Sequence, residues 1–204
     1  HVGSRHENYG ETGMAHLLEH LLFKGTPSNP DIKKSLTARG ARYNGTTSFD
    51  RTNYFEVVAS GELGTGLWLE SDRMAFLLDT IDEKKLAIQR DVVSNERRQS
   101  YENRPYGIGF LRTCDLLYPS PHPYYECVIG SIPEIQAANV DDLKSFFRTY
   151  YGPQNASLAL VGDFDPAEAK ALVEKYFGPI PRGPEVAKPS ATAAPIAQVI
   201  KETV

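Results

Sequence analysis

Cysteine is scarce in this chain. Cys114 and Cys127 are the only two, too few for a disulfide scaffold, and they form no CxxC pair that could grip a metal. They can pair or stay free, and two ordinary thiols is the default reading. No apolar run approaches the roughly 18 residues that a membrane span needs. Neither sign of charge is in large excess: 22 Lys and Arg stand against 26 Asp and Glu, a net charge of −4. That balance, with a pI near 5.8, excludes the basic footprint expected of a partner for nucleic acid or an anionic membrane. There is no internal repeat and no low-complexity block. The opening residues read as already inside a domain, without a signal peptide. The compartment stays open between bacterial periplasm and cytoplasm.

What is present is an ordinary globular mixture of 204 residues, 41% hydrophobic and 24% charged, long enough to bury a sizeable core. Periodicity and punctuation predict an apolar helix over Met14–Lys24 stopped by Gly25, and a short helix over Asp31–Arg39. Two strands follow, Ala41–Phe49 and Asn53–Ser60, joined by a polar turn. Helical spacing returns over Glu62–Leu78 and Asp82–Tyr101. The stretch Pro105–Pro133 is loop-rich, with Ile108–Leu117 able to be helical. Further helices are expected at Val140–Tyr151 and Pro166–Phe177, with a buried strand at Ala156–Val161 between them. Residues 179–197 hold five prolines and read as a Pro/Ala-rich linker. Residues 198–204 read as the start of a further element. Hairpin strands beside long helices indicate an α+β domain over residues 1–178, with a mostly antiparallel sheet and helices packed on one face.

The helix at Met14–Phe23 is apolar at every position except His16, Glu19 and His20. At ~100° per residue, those three fall within an arc of roughly 100°. Ionisable groups on one face of a buried helix are costly unless something satisfies them. A divalent metal does so. Histidines at i and i+4 offer imidazole nitrogens to one point, and a carboxylate between them can act on a water there. The order His-x-x-Glu-His inverts the His-Glu-x-x-His string found in many zinc peptidases. As a bare string it is weak; the apolar frame strengthens it. Catalytic zinc takes three protein ligands and leaves one position open, so a third ligand is missing. The helix at Asp82–Tyr101 offers Glu83, Asp91, Glu96 and Glu102. On the residues alone Glu96 is one of several, placed near the apolar pair Val92 and Val93.

The sequence resembles the insulinase/pitrilysin family of zinc peptidases, which includes the mitochondrial processing peptidases. Gly13–Thr26 looks like that family's metal helix. Gly40–Gly45 with Thr47 and Thr52 looks like its substrate-side hairpin, and Arg90–Glu96 like its second metal helix. His122-Pro-Tyr124, Ile129-Gly130, Phe146–Tyr151 and Val161-Gly162-Asp163 look like later landmarks. The resemblance implies one zinc ion per chain, held by His16, His20 and Glu96, with Glu19 as general base. The Gly, Asn and Thr content of Ala41–Ser48 makes it the candidate edge for an extended peptide, with Ala41, Asn44, Gly45, Thr46 and Thr47 as the contact positions, and a plain hairpin is the alternative. The resemblance also implies a second homologous half, in the same chain or a separate subunit, and self-association is a further expectation. Where the family often has another glutamate, seven residues before Glu96, this chain has Gln89. The family domain also begins with strands that would precede His1.

The expected activity is zinc-dependent endopeptidase hydrolysis, feeble without the second half. The alternative is a non-catalytic scaffold or binding subunit of a two-half assembly. Other polar residues are expected to be bystanders: His1 and His6 in a mobile end, His122 in a loop, and Arg97, Arg98 and Arg104 on a solvated face.

Overall fold

The computed structural model describes residues 1–8, 10–187 and 198–203. The elements in chain order are α1 (Met14–Leu21), α2 (Ile32–Thr37), β1 (Arg42–Thr47), β2 (Thr52–Val57), α3 (Leu63–Phe76), α4 (Glu83–Arg97), α5 (Gly107–Leu117), α6 (Ile132–Ala137), α7 (Val140–Tyr150) and α8 (Pro166–Phe177). α4 runs into a π-helical turn over Arg98–Glu102. The helix starts follow capping chemistry. Asp31, Asp82, Ser131, Asn139 and Asp165 each accept a first-turn backbone N–H through their own side chains, satisfying donors that the helix cannot.

β1 and β2 form an antiparallel hairpin, with Arg42 opposite Val57 and Thr47 opposite Thr52. α1 lies between this hairpin and α4, touching both. Ala15, Leu17 and Leu18 are fully buried there, with Leu86, Val93 and Leu143 closing the core around them. A second, smaller core joins Ile32, Leu36 and Leu69 beside Ala41, Tyr43 and Trp68. No helix of the described residues is long and apolar enough to cross a membrane.

Several expectations need correction. Cys114 and Cys127 are joined by a disulfide. The pair lies in the main core, tying α5 to the loop before α6; nothing in two cysteines at this separation announces the contact. Ala156–Val161 is neither a strand nor buried: it pairs with no strand among the described residues, and Val161 is 98% exposed. Its apolar letters fit a core strand, but it faces β2 across a groove shared with Leu63, Leu67 and Phe164. His6 is buried, not in a mobile end; its ring packs on Tyr150 and its Nδ1 accepts the Gly3 N–H. His1 donates its terminal amine to the Asn155 carbonyl at 2.8 Å. Residues 198–203 are irregular, with Arg112 donating to the Glu202 carboxylate, and 188–197 of the expected linker lie outside the described residues.

Beneath the hairpin sits a buried charge cluster. The Arg73 guanidinium lies 5.1 Å from the Phe23 ring centroid and 4.7 Å from that of Tyr54. It pairs with Glu70 and lies 3.8 Å from a Glu56 oxygen. The two aromatic faces substitute for water around the cation. Burial, and then the neighbouring Glu70 carboxyl, push the Glu56 carboxyl up to about 9.

This packing has two measurable consequences. Because the folded pKa of Glu56 lies above the unfolded value, its contribution is complete below pH ~4.5 and erodes as pH rises toward 9. Glu56→Gln should therefore gain on the wild type by on the order of 1–3 kcal/mol between pH 5 and pH 8, read from denaturant midpoints. A pH-independent difference would contradict that protonation state. Reducing the disulfide should lower stability by about 3 kcal/mol, as closure of a short loop predicts, with thiol titration finding no free cysteine before reduction.

Candidate metal and catalytic centre

α1 sets His16 and His20 one turn apart on one face, their ring centroids 4.7 Å apart and edge-on. Glu96 arrives from the last turn of α4. Its side of that helix is fixed by Val93, fully buried one turn earlier, and by Ser94 and Gln89, also buried. Val92, expected with Val93 to turn this helix toward the core, is instead 41% exposed, while Val93 and Ser94 carry the buried side.

The His20 Nε2 lies 3.4 Å from Glu96 Oε2, and the His16 Nε2 lies 3.9 Å from Oε1. One donor atom from each of the three residues falls within 4.8 Å of the others. Donors bonded to a tetrahedral zinc at ~2.0–2.1 Å sit roughly 3.3–3.4 Å apart. The observed trio would have to draw in by up to about 1.4 Å to bind such an ion, and these are the residues that could hold it.

The protonation states also fit. Burial, and then His20, lower the His16 pKa to about 4. The hydrogen bond from His20 holds the Glu96 carboxyl below its ordinary value, against the opposing effect of burial. A neutral imidazole and an ionised carboxylate are the forms that ligate. The His16 Nδ1 is buried without a hydrogen-bond partner among the described residues.

The rival carboxylates are otherwise engaged. Glu83 binds Arg90 at 2.6 Å and Glu102 binds Arg97 at 3.2 Å, while Asp91 is exposed. Gln89 is buried two turns before Glu96, its Oε1 unpartnered among the described residues.

Glu19 is 7% exposed and presses against β1. Thr47 Oγ1 donates to its Oε2 at 2.5 Å. A Cβ on Gly45 would lie 2.8 Å from its Oε1, so any larger residue here would force the Glu19 side chain to shift. Burial raises the Glu19 pKa, opposed by the hydroxyl of Thr47.

Of the expected substrate positions, Gly45 and Thr47 thus meet Glu19. Asn44 and Thr46 are exposed on the other face, and Ala41 packs on the small core. Sequence reasoning missed the Thr47–Glu19 bond, since no spacing rule joins a strand hydroxyl to a helix 28 residues earlier. It also misplaced Arg97, whose side chain is only 15% exposed and which holds the Gly130 carbonyl, Glu102 and Glu126.

The hairpin's open edge can be read from its ladder. Ser48 N–H donates to the Arg51 carbonyl at 2.8 Å. Antiparallel alternation then directs the backbone polar groups of Tyr43, Gly45 and Thr47 away from β2. No described strand pairs with β1 on that side. The Gly45 N–H is held by its neighbour Asn44 Oδ1 at 2.9 Å.

His16 and His20 at inverted spacing on one helix, Glu96 from a second helix and an open strand thus lie together. The sequence model described as Insulinase (Peptidase family M16) matches residues 1–106, and that of the Peptidase M16 inactive domain matches residues 137–204. The chain belongs to the insulinase (M16) peptidase family. It is 36% identical to the zinc protease PqqE of Helicobacter pylori over 86% of this chain and 39% of that protein. It is 30% identical to the mitochondrial-processing peptidase subunit beta of Caenorhabditis elegans, over 89% of this chain and 39% of that one. It therefore spans about two fifths of the length of these relatives. Among solved structures, a protease from Helicobacter pylori superposes with a TM-score of 0.86 at 34% identity, covering 94% of this chain and 46% of that one. The first half of the periplasmic protease PqqL from Escherichia coli shares the fold at a TM-score of 0.82 and 23% identity, over 95% and 42% of the two chains.

The contact at Gly45 gives an activity-free test. Gly45→Ala should cost about 1–3 kcal/mol, as overpacking at a fixed neighbour does. Gly61→Ala, where nothing lies within 4 Å of the added Cβ, should change stability by less than that. Equal thermal shifts would show that Glu19 yields freely.

Proposed function

We propose that this chain is the zinc-bearing half of a metalloendopeptidase that hydrolyses extended peptides. The observation that carries this reading is the convergence of His16, His20 and Glu96 donor atoms within 4.8 Å, with Glu19 buried one position from His20. A zinc ion bound there would supply Lewis acidity toward a water and a scissile carbonyl.

The chain's own residues do the rest. His16, His20 and Glu96 would hold the ion, with Glu96 as the ionised carboxylate. Glu19 takes a proton from the attacking water at its carboxylate and delivers it to the leaving amine. Thr47 Oγ1 fixes Oε2 of Glu19, leaving Oε1 as the proton-carrying atom. The peptide pairs with the open edge of β1 by backbone hydrogen bonds, displacing the Asn44 side chain from the Gly45 N–H. This places the substrate backbone next to the strand residue that Glu19 touches.

A second homologous half completes the binding surface. The length comparison supports this, as does the fold shared with the first half of PqqL. A neighbour of the same fold, the ferredoxin protease FusC, was solved with Arabidopsis ferredoxin, and a protein or peptide substrate is the matching proposal for this chain. The Cys114–Cys127 bridge fits folding in an oxidising compartment.

The test separates ligands from base. His16→Ala, His20→Ala and Glu96→Gln should each weaken zinc binding by orders of magnitude, with the fold intact by circular dichroism. Glu19→Gln should keep one zinc per chain and lose turnover of an unstructured peptide, assayed with the second half present. Zinc loss in Glu19→Gln would overturn the division of roles. Zinc bound without turnover in the wild-type assembly would favour a scaffold subunit.

A further inference from the structure

α1 has no side-chain cap of its own. Its N-cap residue is Gly13, in the left-handed region at φ 86°, so its first-turn N–H groups need partners from elsewhere. Glu7 supplies them. Its Oε2 accepts from the Gly13 N–H at 2.9 Å and its Oε1 from the Ala15 N–H at 2.8 Å. Both oxygens are spent on backbone immediately before His16.

The same turn is fastened twice more. Glu134 of α6 accepts the Thr12 N–H at 2.8 Å and also its hydroxyl. Gly130 presses on Gly13 so closely that a Cβ there would lie 2.5 Å from the Gly13 backbone. The Gly130 carbonyl accepts from Arg97, the residue after Glu96. A short path therefore runs from Glu7 through Gly13 and Gly130 to the helix that carries Glu96.

We propose that Glu7 is a positioning residue of the metal centre: by gripping the Gly13 and Ala15 N–H groups it sets α1, and with it His16, against Glu96. This rests on the metal assignment above. His16 lies in the first turn of α1, the part of a helix most prone to fray, and a ligand atom must stay within ~0.2 Å of its bonding distance. Glu7 is half-buried, and each of its two oxygens accepts one of these N–H groups. Glutamine cannot replace it cleanly. It offers one acceptor oxygen, and its NH2 group would face a backbone donor.

The experiment measures zinc affinity by competition with a chromophoric chelator, together with the visible spectrum of the cobalt(II)-loaded chain. Glu7→Gln and Glu7→Ala are compared with Asp165→Ala, which removes the cap from α8, where Asp165 accepts the Ala167 and Glu168 N–H groups. α8 packs on α3. The expected result is cooperative unfolding in all three variants, at least tenfold weaker zinc binding and an altered cobalt spectrum in the Glu7 variants, and neither change in Asp165→Ala. Should Glu7→Ala fail to fold, the near-isosteric Glu7→Gln decides. Wild-type affinity and spectrum in Glu7→Gln would overturn the proposal, as would an equal zinc loss in Asp165→Ala. A wild-type chain that binds neither metal would overturn the metal assignment itself, a result that needs no variant to read.

Discussion

One constraint organises the structure: α1 is buried on nearly every side, yet carries His16, Glu19 and His20. A buried ionisable group without a partner costs several kcal/mol. Each neighbour of α1 answers one part of that cost. β1 brings Thr47 and the bare backbone of Gly45 to Glu19. α4 brings Glu96 to the two imidazoles. The polypeptide before and after the helix brings Glu7 and Gly130 to its start. The two-stranded hairpin and the long helix are thus placed by the polar demands of a single helix as much as by its leucines.

The parts of this arrangement that sequence made legible are those written at short range. The apolar frame around positions 16, 19 and 20 identifies a buried polar face because helical periodicity alone decides which side chains share a side. The candidate ligands followed, and Glu96 was separable from Glu83, Asp91 and Glu102 only through resemblance. What was not legible depends on contacts between distant segments. The Cys114–Cys127 bridge, the Thr47 hydroxyl on Glu19 and the burial of Arg97 under the Gly130 carbonyl have no local signature. Ala156–Val161 was misread for a related reason: apolar composition marks what a segment can bury, while burial itself needs a partner strand, and none of the described residues provides one.

The hairpin shows how a small sheet can serve two sides at once. Its inward residues Gly45 and Thr47 are occupied by Glu19, while Tyr54 stacks on the Arg73 guanidinium beneath. Its backbone on the far edge is committed to no described strand, and a side chain, Asn44, holds the central N–H. A self-made hydrogen bond of this kind keeps an edge donor satisfied without a neighbouring strand. It blunts an exposed edge that would otherwise invite uncontrolled pairing, and it is the bond that the peptide proposed above would displace.

The two carboxylates near His20 are pushed in opposite directions. Glu19 and Glu96 both lie close to His20, and both are partly or wholly withdrawn from water. Burial dominates for Glu19 and raises its pKa; the hydrogen bond from His20 dominates for Glu96 and lowers it. Neighbouring titratable groups whose environments diverge in this way are the arrangement that divides acid–base labour. A ligand must remain ionised as the metal comes and goes, while a proton carrier must be able to hold a proton without great cost. Burial for Glu19 and the imidazole of His20 for Glu96 set environments that suit these two proposed tasks.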